Sequence, residues 1–310
     1  MRLRFLLLWP CLVACICSCG GRPGVQPQQA QAVPGLKEIQ KGVGLYRRGC
    51  YQSALTHFMR GHELLAAVDH QSGIATSLNN IGNIYRVIGD APSALLFFDS
   101  ALAIYTEQMD DAGALQALSN KAAVLIQMQQ LDKAADVLDR AEAIAERAGG
   151  PSVFLLNNRG VLAMRQGDFA AAESALSQAM AAADFAGSHE KATVFFSMGK
   201  LSVARDRHDE ALGFFNAALE ADRSAGFYQG IAGDLTAIAE IHLQRRQHQR
   251  AQDFFERAIK VYALLGQSEK CDALLTRLEA LSTKSGRPAT VTRHFVKRWL
   301  EGDVLAPLCD

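Results

Sequence analysis

The sequence from residue 78 to residue 101 contains Leu78-Asn79-Asn80-Ile81-Gly82-Asn83-Ile84-Tyr85, then Gly89-Asp90, and then Ala94, Phe98 and Ala101. The small and the large apolar residues of this stretch fall at helical intervals. Gly89-Asp90 interrupts them and marks a turn. The stretch therefore predicts two amphipathic helices joined by a tight turn.

The same pattern occurs six times, with a period of about 40 residues. The first small residue of each copy is Gly42, Gly82, Ala122, Gly160, Gly199 or Ala239. Twelve positions later each copy has an alanine, at Ala54, Ala94, Ala134, Ala172, Ala211 and Ala251. A large apolar residue follows four positions on, at Phe58, Phe98, Leu138, Leu176, Phe215 and Phe255. Small residues let helices approach closely, so we expect six stacked helix pairs that bury one continuous apolar face.

This pattern resembles the tetratricopeptide repeat (TPR) family over residues 36–266. Its period exceeds the usual ~34 residues and is similar to that of the longer-repeat subclass of kinesin light chains and LGN-type adaptors. The resemblance implies an all-α fold, a right-handed TPR-type α-solenoid of six helix pairs. Within residues 267–310, amphipathic helices over Ser268–Leu281 and Thr292–Leu300 are expected to cap its last apolar face.

The turn inside each pair has glycine in three copies, at Gly49, Gly89 and Gly167. The other three copies have Gln129, Asp206 and Arg246 there. A left-handed backbone costs a residue other than glycine about 1 kcal/mol. We therefore expect these three turns to adopt another conformation.

Residues 1–19 predict a bacterial lipoprotein signal. Arg2 and Arg4 precede an apolar run that ends at Ala14 and is too short for a comfortable membrane span. The pair Ala14-Cys15 resembles a lipobox, in which a small residue precedes the acylated cysteine, and Ser18-Cys19 is the alternative. An ordinary cleaved signal, an uncleaved anchor, a palmitoylated cysteine cluster and a metal site are the other interpretations of this segment.

Residues 20–35 are rich in Gly, Pro and Gln and have almost no large apolar side chain, so they predict a flexible tether. An acylated cysteine would hold the solenoid at a membrane through this tether. Neither Ile16 after Cys15 nor Gly20 after Cys19 is the aspartate that commonly retains lipoproteins in the inner membrane. By this resemblance we expect the periplasmic face of an outer membrane.

The composition favours no catalytic class. The 310 residues include 32 basic and 32 acidic side chains, which does not suggest a nucleic-acid partner. No phosphate-binding glycine loop or nucleophile elbow is present. His242 and His248 are separated by an inter-helix turn, and their spacing is not that of zinc ligands. We therefore expect no enzyme activity, no cofactor and no metal.

An exported protein can form disulfides, and Cys50, Cys271 and Cys309 belong to the predicted mature domain. In a row of stacked pairs Cys50 lies at the opposite end from Cys271. The only plausible internal disulfide is therefore Cys271 with Cys309, and at least one of the three thiols stays unpaired within the domain.

The TPR resemblance implies a concave groove formed by the first helix of each pair, with proteins or extended peptides as partners. Two positions before the small residue stand Gln40, Asn80, Asn120, Asn158 and Ser197. Asparagine is unfavourable inside helices, so this row suggests hydrogen bonds to a peptide backbone. The alternative is that each asparagine ties its helix to the preceding one. The predicted groove also contains Asn79, Asn83, Arg86, Asn157, Met164, Arg165, Phe196 and Lys200.

These features together predict a non-enzymatic, membrane-anchored adaptor that acts in the assembly of complexes in the bacterial envelope. A regulatory sensor or peptide-binding module is the alternative, as is a pilotin-like assembly factor for a secretion or pilus system. The carboxylate-clamp pattern of some TPR domains is not reproduced, because Asn79 precedes Asn80 where that pattern has lysine.

Overall fold

The computed structural model describes residues 33–147, 149–301 and 309. Across these residues the chain forms 14 α-helices and no strand, and all of the helices belong to the unit Pro34–Asp310. The all-α prediction is confirmed. The predicted signal and most of the predicted tether, including the lipidation sites Cys15 and Cys19, lie outside the described residues.

The first twelve helices form six consecutive pairs, and two further helices follow them. The pairs are α1 (Pro34–Arg47) with α2 (Tyr51–Ala66), α3 (Gln71–Ile88) with α4 (Ala91–Glu107), α5 (Asp111–Gln127) with α6 (Leu131–Ala145), α7 (Val153–Gln166) with α8 (Phe169–Ala183), α9 (Ser188–Ala204) with α10 (His208–Ala225), and α11 (Tyr228–Gln244) with α12 (His248–Leu264). The capping helices are α13 (Ser268–Ser285) and α14 (Thr290–Leu300). Each helix contacts the next along the chain, which is the arrangement of a solenoid.

The six pairs are held together by the small and large residues of the repeat. The six alanines twelve positions after the small residue are all 0% exposed. The large residues that follow them are buried beside the small ones. A Cβ atom added to Gly82 would lie 2.7 Å from the Phe98 ring, and one added to Gly199 would lie 2.6 Å from the Phe215 ring. The aromatic ring therefore occupies the space that the glycine leaves open, and this contact sets how closely the two helices approach.

All six turns inside the pairs have the same backbone geometry, so the expectation for the non-glycine turns was wrong. Gln129, Asp206 and Arg246 are left-handed, with φ of 60°, 59° and 58°. Their turns close with the same hydrogen bond as the glycine turns: the Gln130 N–H donates to the Leu125 carbonyl at 2.9 Å, as Asp90 does to Tyr85. This bond satisfies a carbonyl at the helix end. Packing of the two helices outweighs the cost of about 1 kcal/mol.

The C-terminal helices cover the last apolar face. Cys271, Leu274 and Leu278 of α13 are buried against α11 and α12, and Val296 of α14 joins the same cluster. The predicted cap is confirmed, although α13 continues to Ser285, beyond the predicted Leu281.

The first helix pair reaches residues near the end of the chain. Cys50 forms a disulfide with Cys309 across a sequence separation of 259 residues, and the two Cα atoms are 5.1 Å apart. The Ser53 hydroxyl donates to the Cys309 carbonyl at 3.3 Å. A Cβ atom on Gly49 would lie 2.5 Å from Leu265, so the end of α12 also packs against this first turn.

The expected disulfide between Cys271 and Cys309 was therefore wrong. Cys271 is a free thiol and fully buried, its Sγ donates to the Ile259 carbonyl at 3.6 Å, and burial raises its pKa to about 12. The expectation treated the repeats as a straight row, in which the ends are far apart. The curvature of the stacked pairs instead brings Cys50 to the C-terminal residues.

The repeat frame predicts which alanines tolerate a larger side chain. Ala134 and Ala143 both lie in α6, but Ala134 is fully buried and Ala143 is exposed. Ala134→Leu should overpack the helix interface and lower the free energy of unfolding by about 1 to 3 kcal/mol. Ala143→Leu should change it by less than about 0.5 kcal/mol. Urea denaturation followed by circular dichroism measures the free energy of unfolding of both variants. Equal decreases in the two variants would show that the repeat pattern has been assigned to the wrong positions.

Candidate partner-binding surface

The first helices of the pairs line the inner side of the curve. They contact one another in sequence, α1 with α3, α3 with α5, α5 with α7 and α7 with α9. Helices on the inside of a curved stack are the ones that come close in this way. The contacts described below bring a set of side chains together on this side of the stack, and we call this set the inner surface. Its members are Tyr46, Arg47, Arg86, Phe154, Arg165, His189, Phe196, Lys200 and Phe227.

Two of the three asparagines in the predicted row tie first helices together. The Asn120 side-chain amide donates to Asn79 Oδ1 at 3.0 Å, and that of Asn158 donates to the Ser119 carbonyl at 2.8 Å. Both bonds join one first helix to the preceding one, which is the alternative role predicted from the sequence. Asn80 is half-buried, and within the described part of the chain its amide has no hydrogen-bond partner.

Three more predicted groove asparagines have little surface left for a partner. Asn79 is only 1% exposed and Asn157 is 5% exposed, with its Oδ1 unpaired among the described atoms. The half-buried Asn83 donates to the Asn79 carbonyl at 3.3 Å within its own helix. Asn79 and Asn157 thus belong to the helix interfaces, and we do not assign them to the inner surface.

The predicted cations and Phe196 lie on the inner surface. Arg86 of α3 donates to the Tyr46 hydroxyl of α1 at 3.5 Å and to Asn83 Oδ1 at 3.4 Å. Lys200 of α9 is exposed, and its Nζ lies 5.9 Å from the centre of the Phe196 ring. Desolvation by the surrounding wall and the charge of Arg165 both lower the pKa of Lys200. The charge of Arg165 therefore acts on the ammonium group of Lys200.

Aromatic side chains from distant pairs meet on the same surface, and no feature of the repeat pattern predicted them. The Phe227 ring, just before α11, lies 6.3 Å from the Tyr46 ring of α1 and 4.7 Å from the His189 ring of α9. His189 lies 6.0 Å from the Phe154 ring of α7. These contacts depend on how far the stack curves, which the spacing within one repeat does not specify.

His189 is the polar residue of this cluster whose buried Nδ1 lacks a hydrogen-bond partner in the described residues. Burial lowers its pKa most, the nearby charges of Arg47 and Arg86 lower it further, and Glu190 opposes them. Burial and the two nearby cations thus disfavour protonation of the imidazole, and its buried Nδ1 is left without a partner among the described residues.

A buried carboxyl pair lies away from this surface, between α10 and α11. Asp222 and Asp234 are 5% and 1% exposed. Burial raises the pKa of both carboxyls, and the charge of Asp222 raises that of Asp234 further. The pair was missed in the sequence because its members come from different helices. We interpret it as a shared-proton contact that joins the fifth pair to the sixth.

In residues 33–147, 149–301 and 309, no three His, Cys, Asp or Glu side chains are grouped so that they could hold a metal ion. None of the described helices combines the length and apolar character needed to cross a bilayer.

Comparison with known proteins agrees with this architecture. The family model described as "Tetratricopeptide repeat" matches residues 37–107 and 152–224, so the chain contains TPR repeats. No curated protein matches the sequence.

Among solved structures, a Rap protein complexed with Competence and Sporulation Factor is similar at a TM-score of 0.58 and 16% identity, over 81% of this chain and 76% of that one. The Rap conjugation gene regulator of the plasmid pLS20, solved in complex with the Phr* peptide, gives a TM-score of 0.58 and 15% identity, over 90% of this chain and 81% of that one. At such identities the similarity establishes the fold, a TPR-type solenoid.

Proposed function

We propose that this protein is an interaction scaffold whose inner surface binds an extended segment of a partner protein. The observation that carries the proposal is the convergence of cations and aromatic rings from three helix pairs on that surface, Arg86 and Tyr46 on one side and Phe196 and Lys200 on the other. TPR repeats and the peptide complex of the Rap conjugation gene regulator support the same kind of partner.

The geometry favours a partner in an extended conformation. Successive first helices present one set of side chains per repeat, so a strand of peptide running along them meets a new set at each step. The helices are fixed to each other by the Asn120–Asn79 and Asn158–Ser119 bonds. A surface built on rigid helices binds without the entropy cost of ordering itself.

We further propose that the solenoid is tethered to a membrane through an acylated Cys15, or alternatively Cys19, and acts as an adaptor in complex assembly at the periplasmic face of an outer membrane. The lipobox-like Ala14-Cys15 and the Gly-, Pro- and Gln-rich tether support this. A regulatory sensor that binds a peptide signal is the alternative function, and the peptide-bound structural relative favours it. A pilotin-like role in a secretion or pilus system is a third possibility within the same binding mode.

Site-specific photo-crosslinking tests where the partner binds. A photoreactive amino acid is placed in turn at Arg165 or Lys200 on the inner surface, and at Lys133 or Arg140 on α6, where both side chains are exposed. In cells we expect discrete protein adducts from the first two positions and none from the α6 positions. Adducts that form equally at all four positions, or only on α6, would contradict binding on the inner surface.

Metabolic labelling with a fatty-acid analogue tests the anchor. The wild-type protein should carry the label and fractionate with outer membranes, and Cys15→Ser should lose both properties. Label that persists in Cys15→Ser but disappears in Cys19→Ser moves the site to the second cysteine. If no variant is labelled, the lipoprotein proposal is wrong.

A further inference from the structure

The inner surface carries positive charge that no acidic side chain neutralises. Arg47, Arg86, Arg165 and Lys200 have no ion-pair partner among the described residues. By contrast, arginines at the joints between pairs reach carboxylates of the neighbouring helix: Arg205 contacts Glu173 at 2.6 Å, and Arg245 contacts Asp209 at 2.7 Å. Carboxylates are thus placed where they join helices, and among the described residues none of them forms an ion pair with these four cations.

The four cations form two clusters. In the first, Arg86 contacts the Tyr46 hydroxyl, Tyr46 faces Phe227, and Phe227 lies against His189, whose Nδ1 is unpaired. Arg47 follows Tyr46 directly in α1 and acts on His189 together with Arg86. In the second cluster, Lys200 lies over the edge of Phe196 and close to Arg165.

Two clusters of positive charge on one surface favour an anionic ligand. Charges of one sign on a concave, partly desolvated wall reinforce one another and attract ions of the opposite sign more strongly than isolated surface charges do. Desolvation lowers the pKa of Lys200 most, and the like charge of Arg165 lowers it further, so the two charges also repel each other. A bound anion relieves this repulsion, and arginine can hold a carboxylate through two parallel hydrogen bonds.

We propose that the segment bound on the inner surface is an acidic peptide, whose carboxylates contact the Arg47–Arg86 cluster and the Arg165–Lys200 cluster. This inference rests on the proposed peptide-binding function and names the chemical class of the partner. It differs from recognition of a single chain-terminal carboxylate, because the cations are spread over α1, α3, α7 and α9.

Apolar groups between the cations favour a peptide over a simple polyanion. Phe154, Phe196 and Phe227 border the two clusters. A cavity of about 230 Å³ adjoins Arg86 and is lined by Val124, Gln127 and Met128, which suits an apolar side chain. Polyphosphate and lipid headgroups offer charge but no group for these contacts.

Fluorescence anisotropy with two peptide pools tests the inference. The acidic pool contains ten-residue peptides in which Glu alternates with Leu, Ser or Ala, and the neutral pool replaces every Glu with Gln. The wild-type protein should bind the acidic pool at least tenfold more tightly, and added salt should reduce that preference. The triple variant Arg86→Gln, Arg165→Gln, Lys200→Gln should bind the two pools equally while its helicity and melting temperature stay unchanged.

A matched triple variant controls for net charge. Lys133→Gln, Arg140→Gln, Arg250→Gln removes the same charge from exposed positions on second helices and should keep the tenfold preference. Loss of the preference in this control, or equal binding of both pools by the wild type, overturns the acidic ligand. Polyphosphate that binds as tightly as the acidic pool also overturns it in favour of a simple polyanion.

The two proposals fail in different ways. If the wild type binds both pools equally and inner-surface crosslinks still form, the acidic ligand is wrong and the scaffold function stands. If neither pool binds and no crosslink forms from Arg165 or Lys200, both proposals are wrong.

Discussion

The fold depends on the close contact between a small residue on the first helix of each pair and a large apolar residue on the second. Phe98 against Gly82 and Phe215 against Gly199 leave no room for even one added Cβ atom. In other pairs the same contact is made by different residues: Leu138 pairs with Ala122, Leu176 with Gly160 and Phe255 with Ala239. In each pair the large residue is fully buried, as close packing of protein interiors requires.

Repetition of this contact has consequences at the scale of the whole stack. Each pair is placed on the preceding one in a similar way, so small rotations add up into a continuous curve. After six pairs the curve brings Tyr46 to Phe227, Gly49 to Leu265 and Cys50 to Cys309. The same curvature gathers side chains from α1, α3, α7 and α9 into the inner surface, which no single pair could form.

Features that repeat within one unit could be predicted from the sequence, and features that depend on curvature could not. The alanines and the large apolar residues were placed correctly because they follow the helical period. The placement of Arg86, Arg165 and Lys200 on first helices followed from their position in the repeat. The aromatic cluster at His189 and the Cys50–Cys309 disulfide arise from contacts between pairs far apart in sequence. Local backbone preference was also a poor guide to the turns. Gln129, Asp206 and Arg246 are left-handed because the packing of two helices outweighs that preference.

The closure of the stack is tested most directly by mapping the disulfide in the non-reduced protein. We expect mass spectrometry to recover the peptides containing Cys50 and Cys309 as one disulfide-linked species. We also expect Cys271 to react with an alkylating reagent only after denaturation. Recovery of Cys271 joined to Cys309, or of Cys50 as a freely reactive thiol in folded protein under oxidising conditions, would contradict it. Either result would mean that the first pair does not meet the C-terminal residues.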